Sequence, residues 1–458
     1  MRRAASISGS VDSAELSALR DRMVTQVING GRSVSDAVVQ ALRAVPRHLF
    51  LPELGPEQAY RNEAIVTRRS AEGQPTSSSS QPTIMAYMLD QLRVMPGQRV
   101  LEIGAGTGYN AALLQYLVGA QGTVVTVDLD AEVARQAAAH LTEAGYPGVT
   151  VIPGDGAAGY PPGAPYDRVI ATVGVSDLAP AWLDQLTPGG RIVVPLDLRG
   201  SQRSVAFERD GASWQSRSVV PCGFMRMRGK LAGPERTQVT HDDRELALTI
   251  PGGRDVDIIA VARALAEPTG PAAEHATCVT AGPAQLFDGL GFWLALNEPR
   301  WGLLSESVHA SQGELARAPL LMANRRITAG IFGDSGFAVL ARPTPLPVAD
   351  ELPAAGDPPG PGGSPGGGGS PGAGGSRKAR RGQLAAAPVF QLSVLGYGAA
   401  GPDLAAELAS AIQAWAAAGR PGAGNFRISA YPRAGGEPVV PGAALIERPH
   451  TTFVVRPV

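Results

Sequence analysis

Gly104, Gly106 and Gly108 stand at alternate positions directly after an apolar run, Val100-Leu-Glu-Ile103. A helix-like run, Tyr109 to Val118, follows them. Glycines between a strand and a helix let the backbone turn tightly and approach a ligand where a Cβ would collide. The spacing is Gly-x-Gly-x-Gly, not the Gly-x-Gly-x-x-Gly of dinucleotide sites, and alone it is common in turns that hold nothing. The next strand sharpens the reading. Thr123-Val-Val-Thr-Val127 ends in Asp128, twenty residues past Gly108. A carboxylate there can accept hydrogen bonds from a ribose. A third strand, Val149 to Ile152, is followed by Asp155-Gly156, placed for an adenine edge. Three strand ends in a row thus carry polar residues for one adenosine-like ligand.

Other elements must hold that constellation in place. Ser13 to Ile28 has Leu16, Leu19, Met23 and Val27 at helical spacing. Ser35 to Val45 reads as a second helix, with Ser35 as cap and Pro46 as stop. Ser77 to Ser80 abut Pro82 and a helix from Thr83 to Leu92, so the serines read as lying at a helix N-terminus. Hydroxyls and free N–H groups there suit a carboxylate. Asp167 to Thr172 is a fourth strand, Ala181 to Leu186 a helix, and Gly189 to Pro195 a fifth strand. Val205 to Phe207 and Gln215 to Val220 suggest a late hairpin. His48 stands alone and reads as packed or solvent-facing rather than catalytic.

Composition bounds the rest. A chain of 458 residues calls for two or three domains, and 44% hydrophobic content supplies their cores. A formal net charge of -1 gives no bulk attraction to nucleic acid or an anionic membrane. Cys222 and Cys278 make no disulfide framework and have no metal-ligand spacing, so both read as structural thiols and no metal is expected. No signal-peptide pattern and no run of membrane-spanning length is present, so a cytoplasmic location is expected. Residues 1–10 read as disordered.

The second half is plainer. Residues 238–256 suggest a strand pair, 257–266 and 284–297 helices, and 327–342 two short strands. Residues 353–382 are dominated by Gly, Pro and Ser and read as a flexible linker ending in a basic run, Ser376 to Arg381. Beyond it, Val389 to Leu395 is a strand, and Pro402 to Ala418 a helix with Leu404, Leu408, Ile412 and Trp415 on one face. Phe426 to Tyr431 and Thr451 to Val458 are strands. This tail is small for a domain and is expected to complete the one begun near residue 238.

The strand-end pattern resembles the S-adenosyl-L-methionine (SAM) methyltransferase fold. More specifically, Arg47-His-Leu-Phe-Leu-Pro52, Ala59-Tyr60, Ser80-Gln-Pro82, Val100 to Tyr109, Gly154-Asp-Gly156, Pro165-Tyr-Asp167 and Gly189 to Pro195 occur in the order seen in protein-L-isoaspartate O-methyltransferases. The likeness covers roughly residues 12–230. It implies an α/β Rossmann-like doubly wound sheet, followed here by a C-terminal α+β domain. The implied boundaries are 1–232 for the catalytic domain, 233–350 and 385–458 for two parts of the second domain, and 351–384 for the linker.

The resemblance also implies roles. Ser80 matches the serine that lies beside the methyl donor and the substrate carboxylate. Ser79, Gln81, Glu102, Gly104, Gly106, Gly108, Asp128, Asp155 and Gly156 would bind SAM, with Glu102 supporting the glycine loop or the methionine end. Ser78, Phe224 and Arg226 would meet the substrate. The family usually has Thr-Ile-Ser where this chain has Thr76 and four serines. The second half resembles that of actinobacterial methyltransferases associated with ribosomally made, modified peptides, notably the lanthipeptide FxLD type. The expected reaction is esterification of an aspartyl carboxylate in such a peptide. Repair of isoaspartyl residues in proteins is the alternative, and a non-catalytic peptide-binding scaffold is a third reading. A peptide is the expected partner in each.

Overall fold

The computed structural model describes residues 13–70, 75–234, 236–240, 246–267, 269–283, 285–307, 325–341, 344–345, 389–433 and 441–458. The elements of its first half, in chain order, are α1 (Ser13–Ile28), α2 (Asp36–Ala44), α3 (Pro56–Ala59), β1 (Ile65–Arg69), β2 (Pro75–Ser79) and α4 (Pro82–Leu92). Then come β3 (Arg99–Ile103), α5 (Tyr109–Val118), β4 (Thr123–Asp128), α6 (Ala131–Glu143), β5 (Thr150–Pro153), β6 (Tyr166–Ala171), α7 (Pro180–Asp184), β7 (Leu186–Leu198), β8 (Ser201–Asp210) and β9 (Ser213–Pro221). The second half adds β10 (Arg236–Val239), β11 (Leu246–Ile250), α8 (Ile258–Ala266), β12 (Ala273–Ala281), α9 (Gly291–Asn297), β13 (Trp301–Ser307), β14 (Arg325–Gly333), β15 (Gly336–Leu340) and β16 (Thr344–Pro345). It ends with β17 (Phe390–Gly398), α10 (Gly401–Ala417), β18 (Phe426–Pro432), β19 (Ala444–Glu447) and β20 (Thr451–Pro457).

Seven apolar strands of the first half and three of the second build a ten-stranded mixed sheet in the order β5-β4-β3-β6-β7-β8-β9-β18-β20-β19. From β5 to β7 it is parallel, and from β7 outward antiparallel. The chain leaves β3 toward β4 in one direction and returns to β6 on the other side. Such a reversal opens a crevice at the carboxyl ends of the strands. One face of the sheet, with Val100, Val124, Ile170 and Val193, is covered by α1, α2, α4 and α5. The other, with Leu101, Ile103, Val169, Ile192 and Val194, takes Trp182 of α7.

The second sheet runs β10-β11-β13-β14-β15-β17-β12, with β16 on β17, and its strand pairs are antiparallel. Helix α10 lays Leu404, Leu408, Ile412 and Trp415 on one face, as their spacing predicts. Helix α8, capped by Asp257, lays Ile258 and Val261 on the other. Pro345 is paired with Phe390. The linker expected at 351–384 and the disorder expected at 1–10 lie outside the described residues.

Two expectations need correction. The serine run does not begin a helix. Pro75–Ser79 is a strand paired with β1, and only Pro82 starts α4. Residues 385–458 also do not act as one block. Residues 390–417 join the second sheet, but β18 pairs with β9 and β20 with β18, extending the first sheet. The reason is burial: β9 would otherwise end the sheet with Trp214 and Val219 uncovered. Phe426, Ile428, Phe453 and Val455 cover that core, and Phe292 of α9 enters it edge-on to Phe426. Smaller differences concern Ser35, whose side chain makes no cap bond, and Cys278, which is exposed while Cys222 is buried.

Phe453 is fully buried and packs against Phe207 of β8. Phe453→Ala is expected to cost about 3–5 kcal/mol. Urea unfolding followed by circular dichroism and by tryptophan fluorescence should show one shared midpoint moving down. A first-half transition that stays in place would contradict the shared core.

Candidate active site

A cavity of about 850 Å³ opens at the carboxyl ends of β3 and β4. The glycine turn forms its floor. Gly104 and Gly106 adopt positive φ, 103° and 53°. A Cβ on Gly104 would lie 2.7 Å from the Thr172 hydroxyl, and one on Gly106 would lie 3.2 Å from the Ser78 carbonyl. Asp128 locks the turn. Its carboxylate accepts the Gly106 N–H at 3.0 Å and the Asp130 N–H at 3.1 Å. Burial pushes its pKa up while these N–H groups hold it down. Each of its oxygens keeps capacity for another donor. Below the turn, strand alternation puts Glu102 on the α5 side, completely buried. It accepts Asn110 Nδ2 and Thr126 Oγ1, both at 2.7 Å.

The serine strand forms one wall. Ser77 and Ser79 are buried, while Ser78 and Ser80 are partly exposed, and all four line the cavity. Arg47 anchors this wall from behind. Its fully buried guanidinium donates to the carbonyls of Ala59, Arg61, Glu63 and Ser80 and to the Ser79 hydroxyl. Desolvation lowers its pKa. Helix α4 begins on Asn62, whose Oδ1 accepts the Thr83 N–H at 3.1 Å, while Gln81 Nε2 donates to the Asn62 carbonyl.

Residues 221–228 form the opposite wall. Gln202 holds them by a pair of bonds to the Phe224 backbone, and Met225 and Met227 exchange backbone bonds with Gly174. Arg226 pairs with the buried Asp197 at 3.2 Å. Arg228 reaches across to the Thr76 carbonyl at 3.5 Å.

Comparison with known proteins bears on this geometry. Residues 18–232 match the family model for protein-L-isoaspartate(D-aspartate) O-methyltransferase. The Methanopyrus kandleri protein-L-isoaspartate O-methyltransferase is 38% identical over 213 residues, covering 46% of this chain and 92% of the relative. The chain belongs to this family. It is a carboxyl O-methyltransferase, and its methyl donor is SAM. Among solved structures, a protein-L-isoaspartate O-methyltransferase aligns over 90% of this chain and 96% of its own, at 21% identity and a TM-score of 0.45. A Plasmodium falciparum structure described as a protein-L-isoaspartate O-methyltransferase, in complex with S-adenosyl-L-homocysteine, covers 46% of this chain and 98% of its own, at 14% identity and a TM-score of 0.40.

The residues present fit SAM. When bound, SAM supplies a methyl group on a positively charged sulfur. Gly104 and Gly106 leave backbone where side chains would stand, and Asp128 offers acceptors to a ribose. The cavity volume lies high in the usual small-molecule range, leaving room beside a nucleoside for a second group. Ser78, Ser79, Ser80, Gln81, Gly104, Gly106, Asp128, Gly156, Phe224 and Arg226 all line it.

Three residues expected to bind SAM are not in the cavity lining. Gly108 packs against α6, where a Cβ would meet the Ala137 carbonyl at 3.1 Å. Asp155 accepts the N–H groups of Ala157 and Lys230, one on each oxygen, and does not line the cavity. Glu102 supports the turn through Asn110 and does not reach the cavity lining. Asn110, Thr172 and Arg228 belong to the lining and were missed by sequence reasoning. Asn110 is legible in hindsight, since it follows Glu102 by one strand end and the first turn of α5.

Burial raises the Glu102 carboxyl from an ordinary 4.5 to about 7. Below pH 4.5 it is protonated both folded and unfolded. As pH rises to about 7 the unfolded chain ionises first, so folding stability falls by on the order of 3 kcal/mol and then levels. Glu102→Gln is expected to flatten that part of a plot of melting temperature against pH. An unchanged slope would show that the carboxylate is ionised when folded.

Proposed function

We propose that the chain methylates the free carboxylate of isoaspartyl residues in peptides and proteins. The observation that carries this reading is the packing of the serine strand over the glycine turn, where a Cβ on Gly106 would crowd the Ser78 carbonyl at 3.2 Å. Hydroxyls that can orient a carboxylate thereby share one cavity with a nucleoside cradle. A carboxylate is a nucleophile at neutral pH and needs no strong base. The protein's part is alignment and exclusion of water. Ser80 is the residue assigned to orient the carboxylate, with Ser78, Phe224 and Arg226 toward the rest of the peptide. Once formed, the methyl ester is attacked by the next backbone nitrogen, which expels methanol and closes a succinimide. Water then opens that ring to aspartate or isoaspartate.

A second reading keeps the chemistry and changes the substrate. It has the chain esterify a normal aspartyl side chain in a ribosomally made, modified peptide, of the lanthipeptide type. Its support is the extension, which shares the catalytic sheet and lies beyond the matched residues 18–232.

Mass spectrometry decides between them. The full chain is incubated with SAM and either an isoaspartyl peptide or its aspartyl counterpart. Gain of one methyl mass on the isoaspartyl peptide alone is expected. A methyl gain followed by net loss of water on the aspartyl peptide alone would establish the second reading, and no gain on either would defeat both. Ser80→Ala should lower turnover on the order of 10²-fold while leaving SAM affinity in place. Equal loss of both would move Ser80 to cofactor binding.

A further inference from the structure

The seam between the catalytic sheet and its C-terminal strands holds a second hollow, of about 220 Å³. Along β18, Phe426, Ile428 and Ala430 enter the core, so Arg427, Ser429 and Tyr431 face the other way. Arg456 on β20 stands directly opposite Arg427. Ser429 is paired with Gln215 of β9, and two residues further along that face come Arg427 and Arg217. Arginines therefore follow one another across three neighbouring strands, and all three line the hollow.

This arrangement costs the fold. Like charges on directly opposite residues are destabilising. Arg217 is compensated by Glu208 at 2.8 Å, which Arg191 also binds. Among the described residues, Arg427 and Arg456 carry no ion pair, and Asp210 is the one acid in the lining. The strands also part here. The β9–β18 ladder has two residue pairs, after which the Ile428 N–H turns to the Ser216 hydroxyl at 2.9 Å. Arg217 lies at the irregularity in β9, between the residues paired to Phe207 and Ala206. The floor is neutral and polar, with Ser429 Oγ donating to Gln215 Oε1 at 2.6 Å.

We propose that this hollow docks an acidic stretch of the polypeptide substrate, with its carboxylates received by Arg427 and Arg456. The site is distinct from the methyl-transfer cavity, although both are lined by β9. Arg217 is four residues from Pro221, or about 13 Å along a strand. Strands outside the matched family residues build half of it, so it gives the extension a role in choosing substrates. The overall charge of -1 disfavours a nucleic acid as the occupant. The proposal rests on the peptide-substrate reading above.

The test uses the full chain and two sets of isoaspartyl peptides. One carries a run of glutamates joined to the isoaspartyl residue by glycine-serine spacers of graded length. The other has glutamines in their place. Fluorescence anisotropy reads binding, and methylation kinetics reads KM and kcat. The glutamate peptides should bind roughly 10-fold tighter, a preference that fades with salt. The double variant Arg427→Gln/Arg456→Gln should erase the preference and raise KM for the best glutamate peptide about 10-fold. Its kcat, and both constants for the glutamine peptide, should stay unchanged. Because the variant removes a repulsive pair, its melting temperature should hold or rise. A preference that survives the variant, or an equal loss on both peptides, overturns the proposal. So does tighter binding of a single-stranded oligonucleotide that the variant abolishes. If neither peptide is methylated but the glutamate peptide still binds in an arginine-dependent way, docking stands and the isoaspartyl reading falls.

Discussion

A buried guanidinium with carbonyl groups for company organises this active site. Arg47 is taken out of water and, among the described residues, makes no ion pair. Burying a charge costs several kcal/mol unless its donors are satisfied. Satisfying its two terminal nitrogens requires segments 59–63 and 79–80 to converge on one point, while Nε is left without a partner among the described residues. The Ser79 hydroxyl and the Ser80 carbonyl are two of the three acceptors on Nη2, so departure of the serine wall would leave that nitrogen with the Glu63 carbonyl alone. On the opposite wall, Asp197 does similar work. It is buried, takes Arg226 on its carboxylate and Arg448 on its carbonyl, and so joins the cavity to the C-terminal strands.

That second link makes the extension part of the catalytic architecture. His450 donates its backbone N–H to Asp177 at 2.7 Å, and the Trp301 indole donates to the Arg199 carbonyl. Arg203 is fully buried, with its guanidinium 4.5 Å over the Phe292 ring, and desolvation pulls its pKa down to about 10. These contacts tie α9 and β13 to the hairpin β7–β8, and the loop after β19 to the segment between β6 and α7. The second sheet thus reaches the first through polar bonds as well as through the apolar core.

What could be read from the sequence was local. The glycine turn, the strands ending in Ile103 and Asp128, and the α10 face each follow from contiguous residues with one period. What could not be read was decided at a distance. Four serines carry no period, and only pairing with Ile65–Arg69 makes them a strand. Asp155 ends a strand, and the N–H it receives from Lys230, 75 positions away, has no signal in the local sequence. Strands β12 and β19 sit at sheet edges, where less burial leaves a weaker pattern, and β12 is further broken at Cys278 by a positive φ of 57°. The return of β18, β19 and β20 to the first sheet has no local signal. Their apolar alternation fits either sheet, and the vacant edge of β9 decides.

A methyl-transfer cavity must also protect its own nucleophiles. Cys222 lines this one, and a thiolate there would compete with any carboxylate for the methyl group. Burial pushes its pKa up to about 12, so it remains a neutral thiol at physiological pH. The Tyr109 phenol is raised for the same reason. Asp128 is more exposed to attack, but each of its oxygens is engaged by a backbone N–H that draws on its electron density. The desolvation that makes the cavity suitable for methyl transfer therefore also quiets its walls. A carboxylate brought in by substrate keeps the nucleophilicity that these buried groups have lost.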